Sequence, residues 1–430
     1  MESKTSKRLL AFAGVCLAFA VCTTRAVQGD TETPPKVTSD VDPAAAKPAV
    51  WNLDYKVDLL SANGTGVERA NAVLGLLHLT LSLDGGKLWN RPGSGFFVDL
   101  LNLHGRRLNQ TIGTGQGIDN IEGQTSTIRL YQLWYQQQSF DGRLSVLGGL
   151  YDLNSEFYVT DASGVFLHPS FGIGPEMGQT GKNGPSIFPV TSVGVRIRLQ
   201  PARGWRGWRS WYWQTVVLDG VPGEVNHPHG THVRFDKGDG QLQVSEAGFL
   251  SDPNADGGKR SPWKLAFGAW RYTARADDLI DLSASGSPVQ RRNKGFYAVA
   301  QGRLFDRAGD RRRGVDGFVR YGVASREINR FGSAAEAGLI YIGAFEHRAE
   351  DVLGFGIAAA RFGAKFREAS EAAGEPYFRS EVAYELTYRA RVARRLAIQP
   401  VMQHIRSAGT AGAKHVNVAG IRFELAFGQE

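Results

Sequence analysis

The chain has 430 residues, with 50 Lys and Arg against 42 Asp and Glu and only 2 cysteines. At 42% hydrophobic and 10% aromatic residues it is too apolar for a disordered chain, while a mean hydropathy of −0.25 and the lack of a long apolar run beyond the N-terminus exclude a bundle of membrane helices. A membrane barrel stays open, because its lipid-facing and lumen-facing residues alternate and average out.

The first segment reads as an export signal. Lys4, Lys7 and Arg8 precede an apolar run from Leu9 to Val21, and Thr24-Arg25-Ala26 offers small residues for cleavage after Ala26. The apolar run is too short to span a membrane as a helix. Cys16 and Cys22 both fall within residues 1–26, so the expected mature chain has no cysteine and no disulfide. Removing four cations and one acid leaves 46 against 41, or +5, a mild surplus that argues for a mixed solvated surface and against nucleic acid as a partner. Residues 27–49, rich in Pro, Thr and Ala, read as a disordered periplasmic linker, and residues 50–430 as the folded body.

From Trp51 the pattern has period two. Trp51, Leu53, Tyr55, Val57 and Leu59 share one face, and Asn52, Asp54, Lys56 and Asp58 the other. The alternation recurs in Leu77–Leu83, in Val193–Leu199 against Arg196 and Arg198, in Val382–Tyr388 against Glu381, Glu385 and Arg389, and in Ala419–Phe427 against Arg422 and Glu424. Turn-rich stretches separate these runs, among them Asp84-Gly85-Gly86, Asp141-Gly142, Asp252–Gly258 and Arg311–Gly314. The short Ala/Glu-rich stretch Glu368–Ala373 reads as a loop turn. Spacing strands from Trp51 to Phe427 gives about sixteen. A soluble sandwich and a membrane barrel both alternate in this way. Long strands, aromatics near strand ends (Trp51, Trp211, Trp213, Tyr388, Phe427) and a closing strand that brings Phe427 near the terminus favour an all-β, transmembrane antiparallel barrel.

Several segments resemble the carbohydrate-selective porin family of the OprB type. They are Leu144–Phe157 with its Asn154-Ser-Glu-Phe corner, Phe166–Glu176 followed by Asn183–Pro189, Gly338-Leu-Ile-Tyr-Ile-Gly343 followed by Arg348 and Asp351, Glu381–Tyr388, and Gln399-Pro-Val-Met-Gln403. Their shared order covers nearly the whole mature chain. The sequence lacks the family's N-terminal Trp-Gly-Gly segment, has Ala408-Gly409 where Pro-Gly is usual, and has Leu147 at an often polar position. The resemblance implies a sixteen-stranded pore of the cell outer membrane with a long inserted loop, passing small sugars by passive diffusion without enzymatic chemistry. Small sugars and outer-membrane lipid are the implied partners, and monomer and homotrimer are both left open.

A sugar channel needs polar groups that replace stripped water, and aromatic faces that stack on apolar sugar faces. The strand phases point Arg196, Arg198, Arg320, Glu381, Glu385, Arg389, Arg422 and Glu424 inward, and Trp134 and Trp270 onto phases that suit the lumen. Any one of these charges could serve only to stabilise the wall. Arg196 and Arg198 stand out because they follow the long loop Asp152 to Pro189, a length that usually carries function and that could fold inward to narrow the pore.

Other constellations are weaker. The motif His227-Pro-His229-x-x-His232 has no completing carboxylate or cysteine, Asp252-Pro-Asn-Ala-Asp-Gly has Trp263 where a calcium loop needs Glu, and Gly113-Thr-Gly115-Gln-Gly117 lacks the strand–helix flanks of a phosphate loop. No metal or cofactor is expected. Glu381 and Glu385, about 13 Å apart at ~3.3 Å per strand residue, are too far apart for glycoside hydrolysis. A secreted or outer-membrane β-rich enzyme acting on glycans or lipids is the alternative, and a soluble carbohydrate-binding sandwich the third reading.

Overall fold

The computed structural model describes residues 47–200, 210–251, 263–375, 377–408 and 413–428. The expected signal peptide, the linker up to residue 46 and the Asp252–Gly258 turn lie outside the described residues. The strands in chain order are β1 (Ala49–Gly64), β2 (Val67–Asp84), β3 (Ser94–Gly105), β4 (Thr127–Ser139), β5 (Leu144–Tyr151), β6 (Ser192–Leu199), β7 (Ser210–Asp219) and β8 (Gln241–Leu250). They continue as β9 (Lys264–Leu282), β10 (Pro288–Arg307), β11 (Asp310–Ala324), β12 (Phe331–Ile342), β13 (Val352–Phe362), β14 (Ser380–Ala393), β15 (Leu396–Ala408) and β16 (Ala413–Gly428). Each pairs antiparallel with its neighbour in sequence, and β1 closes on β16 in the register Asn52↔Gly428 through Gly64↔Val416. The result is one closed sixteen-stranded barrel with no free sheet edge at the seam.

The strand phases follow the alternation. Leu59, Leu79, Val195, Ile197, Val319, Leu339, Phe355 and Leu386 point outward and are exposed, while Asp58, Arg196, Arg320, Glu336, Glu381 and Glu385 point inward and are buried. An exposed apolar outer wall around a polar interior suits acyl chains outside, and excludes the sandwich, whose apolar faces would pack together. Trp51, Trp211 and Trp213 lie outward at one rim. That rim also holds the first residues of β1, the last of β16 and short connections such as 308–309 and 394–395. The opposite rim carries the long connections 106–126, 152–191, 220–240 and 363–379. In barrels of this kind short turns mark the periplasmic side and long loops the extracellular side.

Two features depart from the sequence reading. The polar-inward pattern stops short on β1–β3, where Leu60, Ala62, Leu74, Leu76, Leu101 and Leu103 face inward and are buried. They are covered by Leu108, Ile112, Ile118 and Ile121 of the 106–126 loop, so this stretch of inner wall is a dry core rather than a wetted surface. Ala364–Ala372 is an α-helix rather than a loop turn. Its run of Ala, Lys, Arg and Glu favours helix, and Lys365 pins it to the wall through Asp278 at 2.7 Å and Asp281 at 2.5 Å.

The wall is also completed by a returning loop. β5 pairs with β4 only from Leu133 onward, which leaves the start of β4 with a bare edge. Thr231 of the 220–240 loop caps it: the Leu130 amide donates to Thr231 Oγ1 at 2.7 Å, and that hydroxyl donates to the Leu130 carbonyl at 3.1 Å.

Candidate functional site: the barrel interior

The 152–191 loop lies against the inner wall from β6 round to β15. It begins at a tight corner where Asp152 caps the Asn154 amide at 2.8 Å. Four residues on, Glu156 takes two hydrogen bonds from Arg196, at 2.8 Å from Nε and 2.9 Å from Nη2. Arg196 also donates to Ser145 Oγ at 2.7 Å and Gln136 Oε1 at 2.9 Å, and so joins β4, β5, β6 and the loop. Next, the Tyr158 amide donates to Glu246 at 3.0 Å, and the Tyr158 ring stacks on Tyr297 at 4.1 Å between centroids.

The middle of the loop is held by charge and by shape. Arg320 donates to the carbonyls of Ser170 and Gly172, the latter at 2.9 Å, and lies 3.6 Å from Glu336. Glu385 accepts from the amides of Leu167 and His168, both at 2.7 Å, and Gln399 donates to the Val165 carbonyl at 2.6 Å. Phe166 and Phe171 pack over Gly354 and Gly356 on β13, where a Cβ on Gly356 would come within 2.6 Å of the Phe171 ring. The short helix Pro175–Gly178 sends Glu176 into the space left by Gly322, where a Cβ would sit 1.7 Å from Glu176 Oε1. There Tyr158 OH donates to Glu176 at 2.9 Å, and burial raises the Glu176 carboxyl well above its ordinary range. Burial likewise pulls the His168 imidazole down to about 3, so it stays neutral.

The 106–126 loop is fixed to the other side of the interior. Its Gly113–Gly117 turn cradles an anion supplied by the protein itself: the amides of Gly115 and Gln116 both donate to Glu381, each at 2.8 Å. Gln403 donates to the Ile118 carbonyl at 3.0 Å. Arg422 holds Asp58 at 2.7 and 2.6 Å and reaches Asn120 Oδ1 at 2.8 Å.

The predicted lining residues therefore fall into two sets. Arg196, Arg320, Glu381, Glu385 and Arg422 are buried in the seam between wall and loops. Trp134 is buried too, stacked on Phe97 at 5.0 Å, and Trp270 packs edge-on to Tyr272 within the same cluster as Met177 of the loop. Arg198, Arg389 and Glu424 stay partly open on the inner wall. Arg198 donates to Gln214 at 3.2 Å and Gln200 at 3.0 Å and lies over the Tyr212 ring, while Arg389 meets Glu424 at 2.7 Å. Glu381 and Glu385 each spend both carboxylate oxygens on loop amides, which leaves neither placed as a catalytic acid or base. His232 bonds the His229 carbonyl at 2.8 Å, and its ring lies 6.2 Å from that of His227.

The family model described as "Carbohydrate-selective porin, OprB family" matches residues 68–427. The chain belongs to this family. Porin B of Pseudomonas aeruginosa is similar, at 25% identity over 334 residues that span 72% of this chain and 70% of that one. The fold is that of Pseudomonas putida OprB: its high-pH structure aligns with a TM-score of 0.75 at 22% identity, covering 88% of this chain and 94% of that one. Its low-pH structure aligns at 0.54 and 19% identity, covering 88% and 93%. The protein is thus an outer-membrane β-barrel porin.

Sequence reasoning missed several groups that hold the porin's interior together. Glu246 lies on an inward phase of β8 and takes Tyr212 OH at 2.5 Å and Tyr297 OH at 2.7 Å. The alternation Leu242, Val244, Glu246 was the available signal. Glu156 lies in irregular loop and Glu176 in a single helical turn, where no periodicity could show their direction. Gln399 and Gln403 belong to the closing motif, but the motif gave no hint that each bonds a loop carbonyl.

Proposed function

We propose that this porin passes small sugars by passive diffusion through a wet lumen that the 152–191 loop narrows, with Arg198, Arg389 and Glu424 on its open wall. The observation that carries this reading is the use made of the wall's charges. Arg196, Arg320, Glu381 and Glu385 each hold loop backbone or a loop carboxylate, so the loops are built as fixed inner furniture rather than as mobile lids. What remains accessible is a set of donors and acceptors beside an aromatic ring, the kind of surface that exchanges hydroxyl–water bonds without holding a sugar tightly. Residues 1–26 serve as the export signal and those from 27 up to the start of β1 as the periplasmic linker in this reading.

Planar-bilayer conductance titrated with mono- and disaccharides tests it. A conducting pore whose current falls saturably with added sugar is expected, and Arg198→Ala should shift the half-blocking concentration. A pore that conducts salt with no sugar dependence would remove the carbohydrate reading, and sugar block unaltered in Arg198→Ala would remove Arg198 from the lining.

A further inference from the structure

The outer wall holds a cluster of cations that the sugar pathway does not use. Along β9 the outward residues run Leu265, Phe267 and Ala269 and then change to Arg271, Thr273 and Arg275. Along β10 the outward residues Ala298 and Phe296 give way to Lys294 and Arg292 in the same direction, toward the rim of long loops. The register places Lys294 opposite Arg271, and Arg292 opposite Arg275. Residues directly opposite in a sheet have Cβ atoms about 5 Å apart, and like charges there repel.

Among the described residues none of the four forms an ion pair; Arg271 donates to Gln243 at 2.9 Å, and Arg275 makes a long contact to the Gln290 carbonyl. Asp277, the next outward acid on β9, is taken by the Gln290 amide. The same strands do supply acids to a cation that faces the other way: Arg291 pairs with Asp278 and with Asp281. Two like-charged pairs, one on either side of the register shift between Arg292 and Lys294, keep their charges exposed where the apolar wall ends, and mark a place where the balancing anions come from outside the chain.

We propose that Arg271, Arg275, Arg292 and Lys294 form a docking site for a phosphorylated glycolipid of the outer leaflet. Its phosphates sit on the four cations, with Gln243 as a further polar contact, and its acyl chains run down the exposed Phe267 and Phe296. Continuity of the cations with the lipid-facing wall selects a lipid over a free anion, since a soluble phosphate gains nothing from the apolar stretch below.

The test uses the full-length barrel in detergent and native mass spectrometry with three probes: lipid A bearing two phosphates, the same lipid with both phosphates removed, and inorganic phosphate. Diphosphorylated lipid A should bind about tenfold or more tighter than its dephosphorylated form. R271Q/R275Q/R292Q/K294Q should lose that preference, and R271Q/K294Q, which removes one pair, should fall between. Heat-modifiable gel mobility checks that each barrel is folded. Equal binding of the two lipids to the unaltered protein overturns the proposal without recourse to any variant. A preference retained by the folded fourfold variant overturns it as well, as does displacement of lipid A by equimolar inorganic phosphate, which would mark a small-anion site.

Discussion

Arg196 grips Glu156 through two parallel hydrogen bonds, 2.8 Å from Nε and 2.9 Å from Nη2. The guanidinium is almost wholly buried, and the carboxylate belongs to a loop with little regular structure of its own. Removing one partner of such a pair strands the other, which costs about 3 kcal/mol. Arg196→Ala should therefore detach the start of the 152–191 loop and give larger, noisier single-channel currents. Arg198→Ala should leave the loop in place and change sugar block alone. Quiet, native-sized currents from Arg196→Ala would show that the loop does not depend on this pair.

Glu385 should behave as a structural acceptor. With two loop amides on its oxygens, Glu385→Gln turns one acceptor toward a donor and costs about 2 kcal/mol locally. The expected signature is faster protease cleavage within 152–191 with the barrel still heat-modifiable. Cleavage at the native rate would mean that Gln399 and Arg320 suffice to hold the segment.

Gly322 and Glu176 should be coupled. Gly322→Ala puts a methyl where the carboxylate lies, and overpacking of this kind costs about 1–3 kcal/mol. Shortening the intruding side chain in Gly322→Ala/Glu176→Ala should recover much of that loss, a non-additivity readable in thermal unfolding of the detergent-solubilised barrel. Strictly additive effects would show that the two residues do not compete for one space.

Docking of the Pro175–Gly178 turn should depend on pH. Burial raises the Glu176 carboxyl from its ordinary 4.5 to about 7, so the docked loop favours the protonated acid. The stabilisation is complete below about pH 4.5 and is lost as pH rises through the raised value of the docked state. Channel noise should grow from acid to alkaline pH, and Glu176→Gln, neutral throughout, should flatten that trend. A trend of the opposite sign, or one unchanged in Glu176→Gln, would assign the response to another group.

The alternation of Trp51–Leu59 or Val382–Tyr388 revealed the barrel because the environment changes from one residue to the next along a strand, and hydrophobicity records it. The interior was less legible. An inward Glu looks the same in sequence whether it meets water or a loop amide, so Glu381 and Glu385 could be aimed correctly without revealing that loops cover them. Leu60, Leu74 and Leu101 were illegible for the same reason: an apolar inward residue makes sense only once the covering loop is placed. Glu368–Ala373 reads as a loop turn although it carries the end of the Ala364–Ala372 helix, because nine residues show too little periodicity to stand out beside strands of twice that length.

Arg422 sits on the last strand yet bonds Asp58 on the first and Asn120 on an interior loop. These two attachments can coexist only after the first and last strands have met around that loop. A cylinder zipped shut with the loop left outside would bury this guanidinium with part of its partner set missing, so correct threading and final closure are verified together by one side chain.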